Sequence, residues 1–313
     1  MPADELVLDF SSSAASLSLS LGRLRVRRPG ENDVFVPLGD VAIAVVGNHQ
    51  VSFTGGALAG LMRFQGALVI CDDNQYPVGM MLPIAAATAQ TQRIAAQVDA
   101  PKPLRKRLWR QIVTSKIKAQ AFSLRVATGD DAGLGALARR VRSGDAENVE
   151  STAAQRYWPR VFGDVSFRRR REAADQNRFL NYGYAVLRAA VGRAVCAAGL
   201  HPSIPIHHHG RHNPWVLADD LMEPYRPLVD DEVVAITGEL GGDIAMTPDV
   251  KRRLIEILHA RLAHHGAGSI ESRTVFDWIG RTASSLAAIY TAEKPDPGAL
   301  FFPTGLWREP SGH

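Results

Sequence analysis

Through about residue 82, apolar positions alternate with polar ones or gather in short β-branched runs. ELVLDF, SLSLSLG, RLRVRRP, DVFVPLGD, VAIAVVG, QVSFTGG and ALVICDD read as strands, most of them separated by Gly, Pro, Asn or Asp. ALAGLMRF at 57–64 interrupts them as one short helix, and NQYPVGMMLP closes the region as an apolar strand between turn residues. Short strands at this spacing predict a small β-sandwich or a strongly twisted sheet.

After Pro83 the period lengthens. Alanine-rich segments with helical spacing fall at 84–98, 103–122, 131–142, 147–162, 172–198, 215–237, 247–264 and 270–293. Pro103 suits a first helical turn, and Gly129, Gly163 and Gly199 fall where helices stop. The prediction is an α+β fold: a small N-terminal β-sandwich-like domain over 1–83, then a large all-α domain over 84–313. A chain of 313 residues exceeds what one core usually organises, which fits two domains.

Composition narrows the class without naming it. Hydrophobic residues make up 46% and charged residues 22%, enough to bury an ordinary core. A formal charge of +4 permits a polyanionic partner without requiring one. Cys71 and Cys196 stand far apart in apolar surroundings, which argues against a zinc ribbon or a disulfide framework. The start MPADELVLDF has no basic-then-apolar signal, and no apolar run approaches a bilayer span. A cytoplasmic protein without a membrane partner is expected.

Three constellations are candidates for chemistry. In GDAENVESTAAQRYW (144–158), Asp145 can cap a helix, with Glu147 or Asn148 satisfying first-turn amides. Glu150 lies one turn in, beside a packing stripe of Ala153, Ala154, Tyr157 and Trp158. It is either a carboxylate at the edge of a buried face or an exposed complement to the helix dipole. In IHHHGRHNPWVLADDLMEPYRP (206–227), His207, His208, His209 and His212 precede Asp219, Asp220 and Glu223. Asp220 and Glu223 share one helix face, and Pro224 bends or restarts the helix at that point. Imidazole and carboxylate together suit Mn²⁺ or a related divalent ion, with zinc as competitor, while the histidines can equally form a polar surface loop. The third is basic: Arg105, Lys106, Arg107, Arg110, Lys116 and Lys118 along one helix, then Arg168–Arg171 with Arg178. Four successive arginines form a dense phosphate-binding patch or a solvated face.

Taken in order, these segments resemble one family. GDAENVESTAAQRYWPRVFG, LNYGYAVLRA and DDLMEPYRP are similar to the CRISPR-associated integrase, the larger of the two core spacer-acquisition proteins. VPLGDVAIAVVGN, ALVICDDNQYPVGMMLP and LRKRLWRQIVTSKIKAQA extend the likeness to roughly residues 5–290, nearest to the type II branch. FFPTGLWREPSGH lies outside it.

The resemblance implies a β-rich N-terminal domain that makes a homodimer contact and a helical domain with a Mg²⁺ or Mn²⁺ site. Carried over by motif, Glu150, His208 and Glu223 are the metal ligands and catalytic residues. Asp220 and His207 are supporting residues, His207 being the alternative imidazole. Arg168, Arg169, Arg170, Arg171 and Arg178 are the expected DNA contacts. The implied reaction is attack by the 3′-hydroxyl of a short DNA segment on a phosphodiester at the edge of a repeat. The implied partners are double-stranded DNA and a small ferredoxin-like protein, with the type II RNA-guided nuclease in some subtypes. A hydrolytic nuclease of branched DNA and a non-catalytic DNA-binding scaffold are the alternatives.

Overall fold

The computed structural model describes residues 5–73, 77–83, 89–170, 173, 175–208, 213–241, 245–266 and 269–303. Arg171, His209 and His212 lie outside these residues.

All the predicted strands form. They are β1 (Leu6–Phe10), β2 (Ser16–Ser20), β3 (Arg23–Arg27), β4 (Val34–Pro37), β5 (Val41–Val46) and β6 (Ser52–Phe53), then β7 (Ala67–Cys71) and β8 (Pro77–Met81). Helix α1 (Gly55–Arg63) stands between β6 and β7, capped by the Thr54 side chain on the Ala57 amide. The strands make two four-stranded sheets, ordered β4-β3-β2-β6 and β1-β5-β7-β8. In the second, β1, β5 and β7 run parallel and β8 antiparallel.

The apolar run of β5 explains its place. A parallel strand covered on both faces has no polar side, and every β5 residue is buried. Val41, Ala44 and Val46 join Leu17, Leu24, Val26 and Leu61 in a small core shared by the two sheets and α1. Ala42, Ile43 and Val45 face the helices. In β3 the alternation is simpler, with Leu24 and Val26 inside and the arginines outside.

The rest is mostly helical: α2 (Gln90–Val98), α3 (Lys102–Thr128), α4 (Leu134–Arg140), α5 (Val149–Val161) and α6 (Asn177–Ala197), followed by α7 (Val216–Met222), α8 (Arg226–Leu240), α9 (Pro248–Glu256) and α10 (Val275–Thr291). The all-α expectation needs one correction. Strands β9 (Arg261–Gly266) and β10 (Ser269–Thr274) form an antiparallel hairpin that takes the end of the helix predicted at 247–264 and the start of the one predicted at 270–293. Leu262 points into the core, and its carbonyl accepts from the Trp278 indole, a period-two placement within a short segment.

Two long helices carry the core. α3 buries Leu104, Leu108, Ile112 and Val113, then Ile117, Ala121 and Leu124 on one stripe, and stops at Gly129 with φ +82°. α6 is buried over most of its length. At Gly183 a Cβ would meet Val229 Cγ1 at 2.5 Å, so glycine permits the approach of α6 and α8. No helix among the described residues is long and apolar enough to cross a membrane.

Candidate functional site

Glu150 enters from the first turn of α5. Asp145 accepts from the amides of Val149 and Glu150, both at 3.0 Å, and so caps that turn. Asn148 makes no side-chain cap, and Glu147 pairs instead with Arg140 and Arg142. Ala153 and Tyr157 bury the inward face, which leaves Glu150 half-buried at its edge.

Glu223 enters from the junction of α7 and α8. Residues 223–225 form a single 3-10 turn, where Pro224 and Pro227 supply no amide hydrogen for an unbroken α-helix. The carboxylate is 5% exposed. Arg226 Nε donates to Glu223 Oε1 at 2.9 Å. Glu223 Oε2 accepts no hydrogen bond of normal geometry, yet Lys116 Nζ lies 2.6 Å from it. The same ammonium donates to Glu150 Oε1 at 2.6 Å.

α3, α5 and the α7–α8 junction therefore meet around one lysine. Burial pushes the Glu223 carboxyl up, but Arg226 and Lys116 outweigh it and hold the group down at about 2. Burial works against the Lys116 charge, and Glu223 with Glu150 turns the balance, raising its pKa.

The histidine segment is pinned by Asp220. That carboxylate is fully buried and accepts from the amides of Ile206, His207 and His208 at 2.7, 2.9 and 3.2 Å. Its Oδ1 also lies 2.6 Å from His208 Nδ1. This bond raises the His208 pKa against burial, with Glu223 and Glu150 adding to it. His207 turns elsewhere, stacking on Trp109 at 4.3 Å and 7°. Asp219 pairs with Arg188 at 2.6 Å and accepts from Asn213.

Glu150, His208 and Glu223 thus share one electrostatic neighbourhood, with Asp220 behind the histidine. Two carboxylates and an imidazole whose Nδ1 is tied down form a donor set suited to a hard or borderline divalent ion. Among the described residues no three His, Cys, Asp or Glu side chains close on one point as they stand; Lys116 lies between the glutamates.

The arginines divide. Arg168 and Arg170 are exposed, and Arg178 is half-buried at the start of α6. Arg169 is committed internally: it donates to Asn177 Oδ1 at 2.9 Å and Asn181 Oδ1 at 2.7 Å, and lies over the Tyr184 ring.

Two groups at the site go beyond the candidates that the sequence offers: Lys116, one of several basic residues along a single helix, and Arg226. The i,i+3 spacing of Glu223 and Arg226 was the available signal for the second. For Lys116 there was none, since 34 residues separate it from Glu150.

The sequence profile described as CRISPR associated protein Cas1 matches residues 10–239. The chain belongs to the Cas1 family. A CRISPR-associated endonuclease Cas1 of Neisseria meningitidis is 37% identical over 254 residues, 80% of this chain and 82% of that protein. The likeness to the type II branch is consistent with that relative. A casposase bound to integration product superposes with a TM-score of 0.76 at 20% identity, over 93% of this Cas1-family chain and 92% of the other. A Cas6-RT-Cas1–Cas2 complex gives 0.74 at 18% identity, over 98% of this chain and 36% of that one. At those identities the two structures bear on the fold alone.

Proposed function

We propose that this Cas1-family chain is a metal-dependent DNA integrase and endonuclease of CRISPR adaptation. It joins the 3′-hydroxyl ends of short DNA segments to a repeat by transesterification. The observation that carries the reading is the pairing of Glu150 and Glu223, from separate elements, across Lys116, with His208 in the same electrostatic neighbourhood. The endonuclease name of the Neisseria relative and the integration product held by the casposase point to the same chemistry.

Glu150, Glu223 and His208 would hold Mg²⁺ or Mn²⁺, which supplies charge stabilisation at the attacking and leaving oxygens of a phosphoryl transfer. The chain's own residues do the rest. Asp220 orients His208 through Nδ1, so Nε2 is the nitrogen offered to the site. Arg226 holds Glu223 ionised and fixed. His207, stacked on Trp109, supports the loop and is not offered as the ligand. No protein nucleophile is required, because the DNA hydroxyl supplies the attacking oxygen. Arg168, Arg170, Arg171 and Arg178 are offered to the DNA backbone, which positions without reading sequence. Arg169 braces the segment that carries them.

A small ferredoxin-like partner belongs to this reading, supported by the Cas1–Cas2 assembly named for one structural neighbour. So do a homodimer contact through the β-rich region, action in the cytoplasm, and the type II RNA-guided nuclease as a further partner.

Strand transfer tests the proposal. Labelled duplex with free 3′-hydroxyls is mixed with a repeat-bearing plasmid, with and without Mn²⁺ and the small partner. Joining that requires Mn²⁺ and falls about 100-fold or more in Glu150→Ala and His208→Ala supports it, the scale of losing a key electrostatic group. Cut strands without joined ones point to a hydrolytic nuclease. Tight DNA binding with neither product, partner present, points to a scaffold.

A further inference from the structure

The site already contains a cation, and it belongs to the chain. Lys116 Nζ lies 2.6 Å from both Glu150 Oε1 and Glu223 Oε2, with its side chain 14% exposed. Glu223 Oε2 is buried with this ammonium against it, while Arg226 holds Oε1 on the other side. A divalent ion binds carboxylate oxygen at roughly 2.0–2.2 Å and needs these same two oxygens. An ammonium already against both of them leaves that position filled by charge and by volume. Ion and lysine exclude one another.

If Lys116 moves, the buried carboxylates nearest the site among the described residues are already engaged. Asp220 is taken by three backbone amides and His208. Asp219 is taken by Arg188 and Asn213. Asp230 accepts from Tyr157 and Tyr184. An anion that arrives with a ligand can receive the ammonium, and a lysine on a flexible four-carbon stem reaches for phosphate as a point charge.

We propose that Lys116 is a resident counter-cation that keeps the divalent ion out until a DNA phosphate draws it from Glu150 and Glu223. The proposal rests on the reading of those glutamates as ion ligands. Its consequence is reciprocal: DNA and ion each raise the other's affinity by the same factor.

Mn²⁺ binding, followed by the electron paramagnetic resonance of the free ion, provides a test independent of activity. Lys116→Met is expected to bind Mn²⁺ about 5- to 150-fold more tightly than wild type, the usual range of coupling between two ligands. Glu150→Gln in the Lys116→Met background should erase that gain. A short DNA duplex should tighten Mn²⁺ binding to wild type and leave Lys116→Met nearly unchanged. A second measurement needs no variant: reductive methylation read by mass spectrometry, with exposed Lys118 as internal control. Lys116 should be protected in the free protein and several-fold more reactive once Mn²⁺ saturates the site.

Equal Mn²⁺ affinity in wild type and Lys116→Met, or a Lys116 still protected at saturating Mn²⁺, overturns the resident-cation proposal while the ion site stands. Wild-type affinity unmoved by the duplex overturns the part assigned to phosphate. Failure of both proteins to bind Mn²⁺ at millimolar concentration overturns the ion site itself, and this proposal with it.

Discussion

Seven residues apart on one helical segment, Glu223 and Asp230 are both buried and are pushed in opposite directions. Glu223 faces the two cations Arg226 and Lys116 and sits at about 2. Burial pushes Asp230 up to about 7, opposed only in part by the hydrogen bonds from Tyr184 and Tyr157, while Asp231 adds to the rise. The linkage signs follow. Asp230 binds its proton more tightly folded than unfolded, so its contribution is complete below its ordinary value of 3.8 and is lost as pH rises through about 7. The Glu223 contribution is present above its ordinary value of 4.5 and lost as pH falls toward 2. Asp230→Asn is therefore expected to flatten the decline in unfolding free energy between about pH 4 and pH 7, read by urea melts at each pH. Asp220→Ala tests a third buried carboxylate. It leaves three amides without an acceptor, and each such group costs ~1–3 kcal/mol when buried, so a loss of about 3 kcal/mol or more is expected in urea at pH 7.

Between elements, the decisive contact is the crossing of α6 on α8 at Gly183. A methyl group there meets Val229 Cγ1 at 2.5 Å, and the branch of a valine has little freedom to move aside. Gly183→Ala should cost ~1–3 kcal/mol through overpacking, and Gly183→Ala with Val229→Ala should recover much of it, measured as thermal midpoints. Position 183 lies inside LNYGYAVLRA, which was legible as a helix but gave no hint of which neighbour presses on it. Elements were legible where the periodicity was long or the punctuation strong: the eight N-terminal strands, α3 from Pro103 to residue 122 of its full run to Thr128, and the bend at Pro224. The β9–β10 hairpin was hidden because its six-residue strands follow α9 after one 3-10 turn at Ile257–His259 and carry an apolar pattern too short to separate period two from period 3.6. Glu150, His208 and Glu223 could be assigned only through the resemblance. Lys116 could not be assigned at all, because a lysine between two glutamates is a property of three packed elements and of no single stretch.

At the scale of the whole molecule, the sheet containing β5 is shared between two cores, and further ties cross from it to the helices. Arg193 donates to the Gln65 carbonyl and pairs with Glu5, both at 2.7 Å. The outer surface carries the long-range electrostatics, and there the arginine run separates into two roles. Arg168 and Arg170 are exposed, with Arg168 using one guanidinium nitrogen on the carbonyls of Val165 and Phe167. Arg169 spends its donors on Asn177 and Asn181, so removing it unties the start of α6. If Arg168 and Arg170 each neutralise one DNA phosphate, replacing both by alanine should reduce the slope of log affinity against log salt by about 1.8, at ~0.9 per phosphate. The loss should be much the same on any duplex sequence and should leave the melting temperature in place. Arg169→Ala should do the reverse, lowering the melting temperature by several degrees and leaving the salt slope close to wild type. Fluorescence-anisotropy titrations over a range of salt concentrations, beside thermal melts of the same samples, separate the two. A steep slope retained without Arg168 and Arg170 would place the phosphate contacts elsewhere, with the exposed basic side chains of α3 next in line.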